Sequence, residues 1–288
     1  MLRERFSRLP NGLEGSERNR RILQALTILV ALFISGLALD GSAADLQPPP
    51  PGSDAKEIAR RAEDSLRSAR TTLDASMTVV SPRLSAPRVV RFQSWEERDT
   101  KRSMVRILSP AKDAGTGFLK LHPNLWMFVP RVERTIRIPP SMMLQSWMGS
   151  DMTNDDLVKE SSTLDDYSHT LLGLDPSPES NPELPAYVVE YIPNEDAPVV
   201  WGKIVAWIEQ EHGTPLQQDF YDEDGSLLRR MQFSDVRAVG ERRVPYRWAM
   251  TPLDKEGHST TIEIESIVFD AEIDPSIFTK RNLRKARR

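Results

Sequence analysis

Four histidines, His122, His169, His212 and His258, are the side chains best suited to acid–base or metal chemistry near neutral pH, and they stand far apart in the chain. None falls in an HExxH or His-x-His spacing that would gather ligands on one face, so no metal site is expected. The sequence has no cysteine. Thiolate ligands, a cysteine nucleophile, disulfides and a lipid-modified N-terminal cysteine are therefore excluded. There is no Gly-x-Ser-x-Gly elbow, and GTGFLK at Gly115–Lys120 lacks the Gly-Lys-Ser/Thr of a phosphate loop and opens a strand, so it reads as a turn. The carboxylate pairs Asp155-Asp156 and Asp165-Asp166 are adjacent residues whose side chains point apart, and helix capping accounts for the first pair. No catalytic residue, metal or cofactor is expected. An exported enzyme would require histidines as distant as His169 and His258 to converge on a pocket with an acid.

The distinctive residues are apolar. SMMLQSWMGSD, Ser141–Asp151, sets three methionines and a tryptophan into eleven residues behind Pro139-Pro140. On a helix opened by Pro140 or Ser141 and closed by Gly149, Met143, Leu144, Trp147 and Met148 would share about 140° of arc, with Met142 beside them. Methionine is flexible and polarizable, which suits a surface meeting partners of varying shape, although such a stripe can equally cap a sheet as ordinary core. Trp126 and Phe128 share one face of NLWMFVP, and Leu125, Met127 and Val129 share the other. The sequence does not decide which face is turned inward.

Composition narrows the setting. The net charge is −4, and nothing clusters Lys and Arg as nucleic-acid binding requires. The first 44 residues read as an export signal: Arg18, Arg20 and Arg21, then the apolar run Ile22–Leu39, then Ser42-Ala43-Ala44 as a cleavage site before Asp45. An uncleaved anchor is the alternative, because the run approaches the length of a membrane span. Cleavage removes six Arg and four acids and leaves a charge of −6. DLQPPPPGS, residues 45–53, is a proline-rich linker, and residues 54–288 form the domain.

These residues must be positioned by strands. Asp54 with Glu57 resembles a capping box, and Ile58, Ala62, Leu66 and Ala69 continue at helical spacing to about Thr71. Beyond it the period drops to two in runs broken by Pro and Gly, with a hairpin turn at Asp224-Gly225 and a second block of strands after residue 186. The expected fold is mainly β with a few helices: about 11 antiparallel strands in a meander, curled rather than flat, with short helices inserted midway, one starting at Thr153 or Asn154. A curled, unclosed sheet leaves an apolar concavity that a helix lid or a hydrocarbon tail must cover.

GTGFLKLHPNLWMFVPRVERTIRIPPSMMLQSWMGSDMTNDDLVKESS, with the C-terminal FSDVRAVGERRVPYRWAMTP and GHSTTIEIESIVFDAEIDPSIFTKRNL, resembles the outer-membrane lipoprotein-sorting (LolA-like) proteins over about residues 55–284. The resemblance implies an unclosed half-barrel of eleven strands covered by helices, with acyl chains held between sheet and lid. It places Trp126, Pro139, Pro140, Met142, Met143, Gln145, Ser146, Trp147, Gly149, Asp151, Asn154, Asp155 and Asp156 in a signature stretch. It also implies a periplasmic chaperone-like carrier of lipoproteins or lipids, working with an inner-membrane exporter of the resistance-nodulation-division type and an outer-membrane acceptor. The alternative is an exporter adaptor that carries no lipid. The expected lipid-binding residues are Met142, Met143, Leu144, Trp147, Met148, Trp126 and Phe128.

Overall fold

The computed structural model describes residues 46–158, 163–195, 197 and 199–285. The expected export signal, residues 1–44, lies outside them. One helix opens the described chain, α1 (Ala55–Leu66), capped as its sequence indicates: Asp54 Oδ1 accepts the Glu57 amide at 2.8 Å. Its apolar positions Ile58, Ala59 and Ala62 are buried. The helix stops at Leu66 rather than Thr71, because Arg67 turns extended and the chain enters the first strand at Arg70.

Thirteen strands follow: β1 (Arg70–Val80), β2 (Arg88–Glu97), β3 (Arg102–Ser109), β4 (Gly117–Leu121), β5 (Asn124–Val129), β6 (Arg134–Ile138), β7 (Tyr167–Asp175), β8 (Ala186–Pro193), β9 (Lys203–Glu209), β10 (Pro215–Tyr221), β11 (Leu227–Val239), β12 (Arg242–Pro252) and β13 (Ser259–Phe269). They form a single sheet in the order β6-β5-β4-β3-β2-β1-β13-β12-β11-β10-β9-β8-β7. Every registered pair is antiparallel. The two meanders are joined where β1 meets β13, and the sheet stays unclosed because β6 and β7 are its edges.

The expected mainly β, unclosed antiparallel architecture is the one observed, with thirteen strands in place of about eleven. One of the additional strands is β7 (Tyr167–Asp175), which precedes the block of strands expected after residue 186.

Strand alternation sorts the apolar residues onto two faces. On the hollow face, one half of the core gathers Ala75, Met77 and Val79 of β1, Val90 and Phe92 of β2, Val105 and Ile107 of β3, Phe118 of β4, Leu125 of β5, Ile138 of β6 and Ile262 of β13. The other half gathers α1 with Val189, Tyr191, Ile204, Ala206, Phe220, Met231, Phe233 and Met250 from β8 to β12. On the opposite face, Met104, Leu119 and Phe128 are covered by Ile273, Phe278 and Leu283 of the C-terminal segment, which ends in α3 (Lys280–Leu283).

Between the two edge strands, the described residues 139–158 and 163–166 carry a 3-10 turn (Pro140–Met142) and the short helix α2 (Asn154–Val158), and are here called the strap. Thr153 and Asp156 cap α2 reciprocally: Thr153 Oγ1 accepts the Asp156 amide at 3.1 Å, and Asp156 Oδ2 accepts the Thr153 amide at 2.8 Å.

Candidate lipid-binding hollow

The expected helix over residues 141–149 is not formed. Residues 145–154 make a hairpin instead: Trp147 N donates to Met152 O at 2.7 Å, Asn154 N to Gln145 O at 3.1 Å, and Ser150 N closes the tip on Trp147 O at 3.0 Å. The two tip residues, Met148 and Gly149, have φ of 52° and 72°. Two successive positive φ values mark a type I′ turn, and they take the chain out of the α-helical region where the stripe needed it.

The hairpin aims Trp147 into the hollow. Its ring is 2% exposed and meets Phe92 and Phe118 edge-on, with centroids 5.5 and 5.9 Å away. Its Nε1 is buried without a hydrogen-bond partner. Met143, Met148 and Met152 pack partly buried against the same cluster. Met142 and Leu144 point outward and are exposed. Trp126 and Phe128 require a correction. They lie on the opposite face, in the cluster covered by the C-terminal segment, where Lys280 Nζ sits 3.4 Å from the Trp126 ring centroid. Their strand neighbours Leu125 and Met127 face the hollow instead.

Two cavities remain in the hollow. One, of about 150 Å³, is lined by Leu73, Phe92, Val105, Trp147 and Ile262 with Ser94 and Ser103. The second, of about 160 Å³, lies under α1 and is lined by Tyr167, Tyr191, Trp201, Phe220, Met231 and Phe233. Leu66, Arg67, Met152, Asp156 and Trp248 line both, so the two cavities adjoin at these residues. Arg67 is ion-paired with Glu63 at 3.3 Å and with Glu96, and burial pushes its guanidinium pKa down.

Polar contacts tie the strap to the sheet, among them those of Asp156 and Asp151. Asp156 receives both Arg229 Nη groups, at 2.7 and 2.8 Å, and the Arg229 guanidinium lies over Trp201 and Phe220 at 4.3 and 4.4 Å. Burial pushes the Asp156 carboxyl up, but the hydrogen bonds and charge of Arg229, with the Thr153 bonds, outweigh it and hold its pKa below the ordinary value. Nearer the hairpin tip, Thr260 Oγ1 of β13 donates to Asp151 Oδ2 at 2.8 Å and accepts the Asp151 amide at 2.9 Å. Sequence reading gave Asp156 a capping role and missed Arg229. An arginine in a strand, here with Arg230 beside it, carries no signal of a partner 73 residues away.

The histidines do not converge. His169 on β7 bonds Thr163 O at 2.9 Å and stacks edge-on against Tyr191, and burial pushes its pKa down. His258 stands between Asp151, at 3.6 Å, and Ser81 Oγ, at 3.3 Å, in the order of a hydrolytic triad. Ser81 Oγ also accepts the Arg83 amide and Asp151 is taken up by Thr260, and none of the three lines either cavity. This trio extends the strap contact. Among the described residues, Glu209, Glu211 and His212 bring three ligand-type groups together, but both Glu209 oxygens already accept backbone amides of Glu211 and His212.

A protein-family model described as an uncharacterized protein matches residues 99–285. The chain belongs to that family. A comparison with curated proteins finds no match. Among solved structures, a domain from Vibrio parahaemolyticus named for outer-membrane lipoprotein sorting is 23% identical, with a TM-score of 0.67 over 80% of this chain and 98% of that one. A DUF1329 family protein from Desulfovibrio piger is 21% identical, with a TM-score of 0.69 over 79% and 97%. A LolA superfamily protein from Nitrosomonas europaea is 22% identical, with a TM-score of 0.65 over 80% and 99%. The chain therefore has the LolA-superfamily fold. No helix among the described residues is long and apolar enough to cross a membrane.

Proposed function

We propose that the protein is a periplasmic carrier that takes acyl chains of lipids or lipoproteins into its hollow and moves them toward the outer membrane. One observation carries the reading: an unclosed sheet keeps an apolar hollow in two compartments beneath a strap that is tied down by discrete polar contacts. The fold shared with the lipoprotein-sorting domain supports it. Residues 1–44 supply the export signal, and the linker at 45–53 leads into the domain at residues 54–288. The role is binding rather than catalysis.

The energetics set the requirement. Each methylene leaving a bilayer for water costs about 0.8 kcal/mol, so a sixteen-carbon chain costs on the order of 13 kcal/mol. Water is no route for it. A cavity of about 150 Å³ holds a molecule the size of benzene. Neither compartment takes a whole acyl chain with Trp147 seated between Phe92 and Phe118. Loading thus requires the hairpin to withdraw and the two compartments to merge past Met152 and Trp248. In this reading Met143, Leu144, Trp147 and Met148, with Met142 at the edge, move as one cover.

The test is mass spectrometry of organic extracts from protein purified out of the periplasm. The expected result is acyl lipid near one equivalent per chain. Protein free of lipid that still captures an inner-membrane exporter would overturn the carrier reading in favour of an adaptor.

A further inference from the structure

The margin of the sheet at β6 differs from the rest of the surface. Of the twelve exposed large hydrophobic residues among those described, four fall between positions 132 and 144: Val132 at 58%, Leu144 at 55%, Ile136 at 43% and Met142 at 38%. Arg131, Arg134 and Arg137, interleaved with them, are exposed, and none makes an ion pair among the described residues. Glu133 is the only acid in that stretch, in a chain whose net charge is −4. Lys280 adds a cation on the opposite face: it sits on Trp126, whose register partner is Arg137.

We propose that this rim is a docking surface for an anionic lipid bilayer. Because β6 is an edge strand, residues on both of its faces lie at the molecule's margin, so alternation does not hide half of them from a flat partner. Five residues of strand extend about 17 Å, and the 3-10 turn beyond prolongs the line to Met142. Unpaired arginines attract anionic headgroups, while Val132, Ile136, Met142 and Leu144 are of a size to enter the headgroup region. The surface leads straight into the strap: Ile138 at its end packs in the cluster that holds Trp147, and Met142 and Leu144 flank Met143, whose carbonyl accepts the Asp155 amide. Contact with a bilayer there would act on the segment that covers the hollow.

Charges on an edge strand also discourage strand-to-strand aggregation. The experiment separates the two roles. Wild type and the triple variant Arg131→Ser/Arg134→Ser/Arg137→Ser, in the same full chain, are partitioned by sedimentation onto vesicles of phosphatidylcholine alone or with phosphatidylglycerol. Comparison within one chain cancels any contribution of residues 1–44. Wild type is expected to prefer the anionic vesicles by about 100-fold at low salt, about fivefold per arginine, with the preference falling as salt rises. The triple variant is expected to lose it, while Arg237→Ser/Arg247→Ser, exposed arginines already paired with Asp235 and Glu263, keeps it. Equal partitioning onto both vesicle types overturns the proposal. So does a triple variant that binds like wild type but self-associates, which would assign the arginines to edge protection alone. The proposal builds on the carrier reading, yet the two fail separately: co-purified lipid reports on the hollow, and vesicle partitioning reports on the rim.

Discussion

At the scale of single residues, the decisive pair is Asp156 with Arg229, because it joins the strap to the sheet through a residue that lines both cavities, Asp156. Removing one member of a buried pair strands the other, at a cost of about 3–5 kcal/mol. Asp156→Asn is expected to lower the urea-unfolding free energy by about that amount. Asp156→Leu with Arg229→Met, which removes both charges, is expected to recover most of it. The pair also sets an acid limit. The Asp156 pKa is lower in the folded protein than in the unfolded chain, where it lies near 3.9. Its contribution is thus complete above about pH 4 and is lost as pH falls through the lower folded value. Urea titrations from pH 6 downward should show wild type losing stability below about pH 4 more steeply than Asp156→Asn. Trp147 belongs at this scale as well. Buried against Phe92 and Phe118, it is part of the core as much as of the cover, so a charge placed there would unfold the domain before it reported on lipid.

At the scale of elements, the strap is the movable piece, and the contact between Asp151 and Thr260 offers a way to arrest it. The chain has no cysteine, so Asp151→Cys with Thr260→Cys introduces the only two thiols. The two side chains are already in contact, with Thr260 Oγ1 2.8 Å from Asp151 Oδ2. Oxidised protein is expected to take up a fluorescent acyl lipid at less than a tenth of the rate of the reduced protein, with uptake restored by reductant. Equal rates would show that lipid enters without the strap moving. This element was also the least legible in the sequence. Strand alternation, the Asp54 cap and the Asp224-Gly225 turn are local signals, and they foretold β1, α1 and the β10–β11 hairpin. The Met/Trp segment has helical periodicity, but its shape is set by partners far along the chain. Asp151 meets Thr260 109 residues on, and a type I′ tip with a methionine at positive φ lacks the usual Asn-Gly mark. For the same reason Trp126 and Phe128 could not be assigned a face. Both faces of β5 are apolar, and only the C-terminal segment packed on one of them decides the matter.

At the scale of the whole molecule, an unclosed sheet must protect two edges, and it does so differently at each. Edge β6 carries arginines. Edge β7 is partly covered by the linker ahead of α1: Gln47 and Leu174 exchange both backbone hydrogen bonds at 2.8 Å. Gly173 permits that approach. A Cβ there would come within 2.9 Å of Gln47 O and of Leu46 Cβ, and the Gln47 oxygen is backbone that cannot swing aside. Gly173→Val should therefore expel residues 46–48 from the edge without disturbing the hollow, whose lining does not include Gly173. Two consequences follow from one cause. The released linker gains freedom, so protease cleavage ahead of Asp54 should quicken at least severalfold. The bared strand presents unpaired amides and carbonyls beside the exposed Leu172, so light scattering should detect concentration-dependent association that wild type lacks. Faster cleavage without association would mean that β7 is protected by its own side chains. Association with unchanged cleavage would mean that the linker remains seated and the bond at Leu174 is not what holds it.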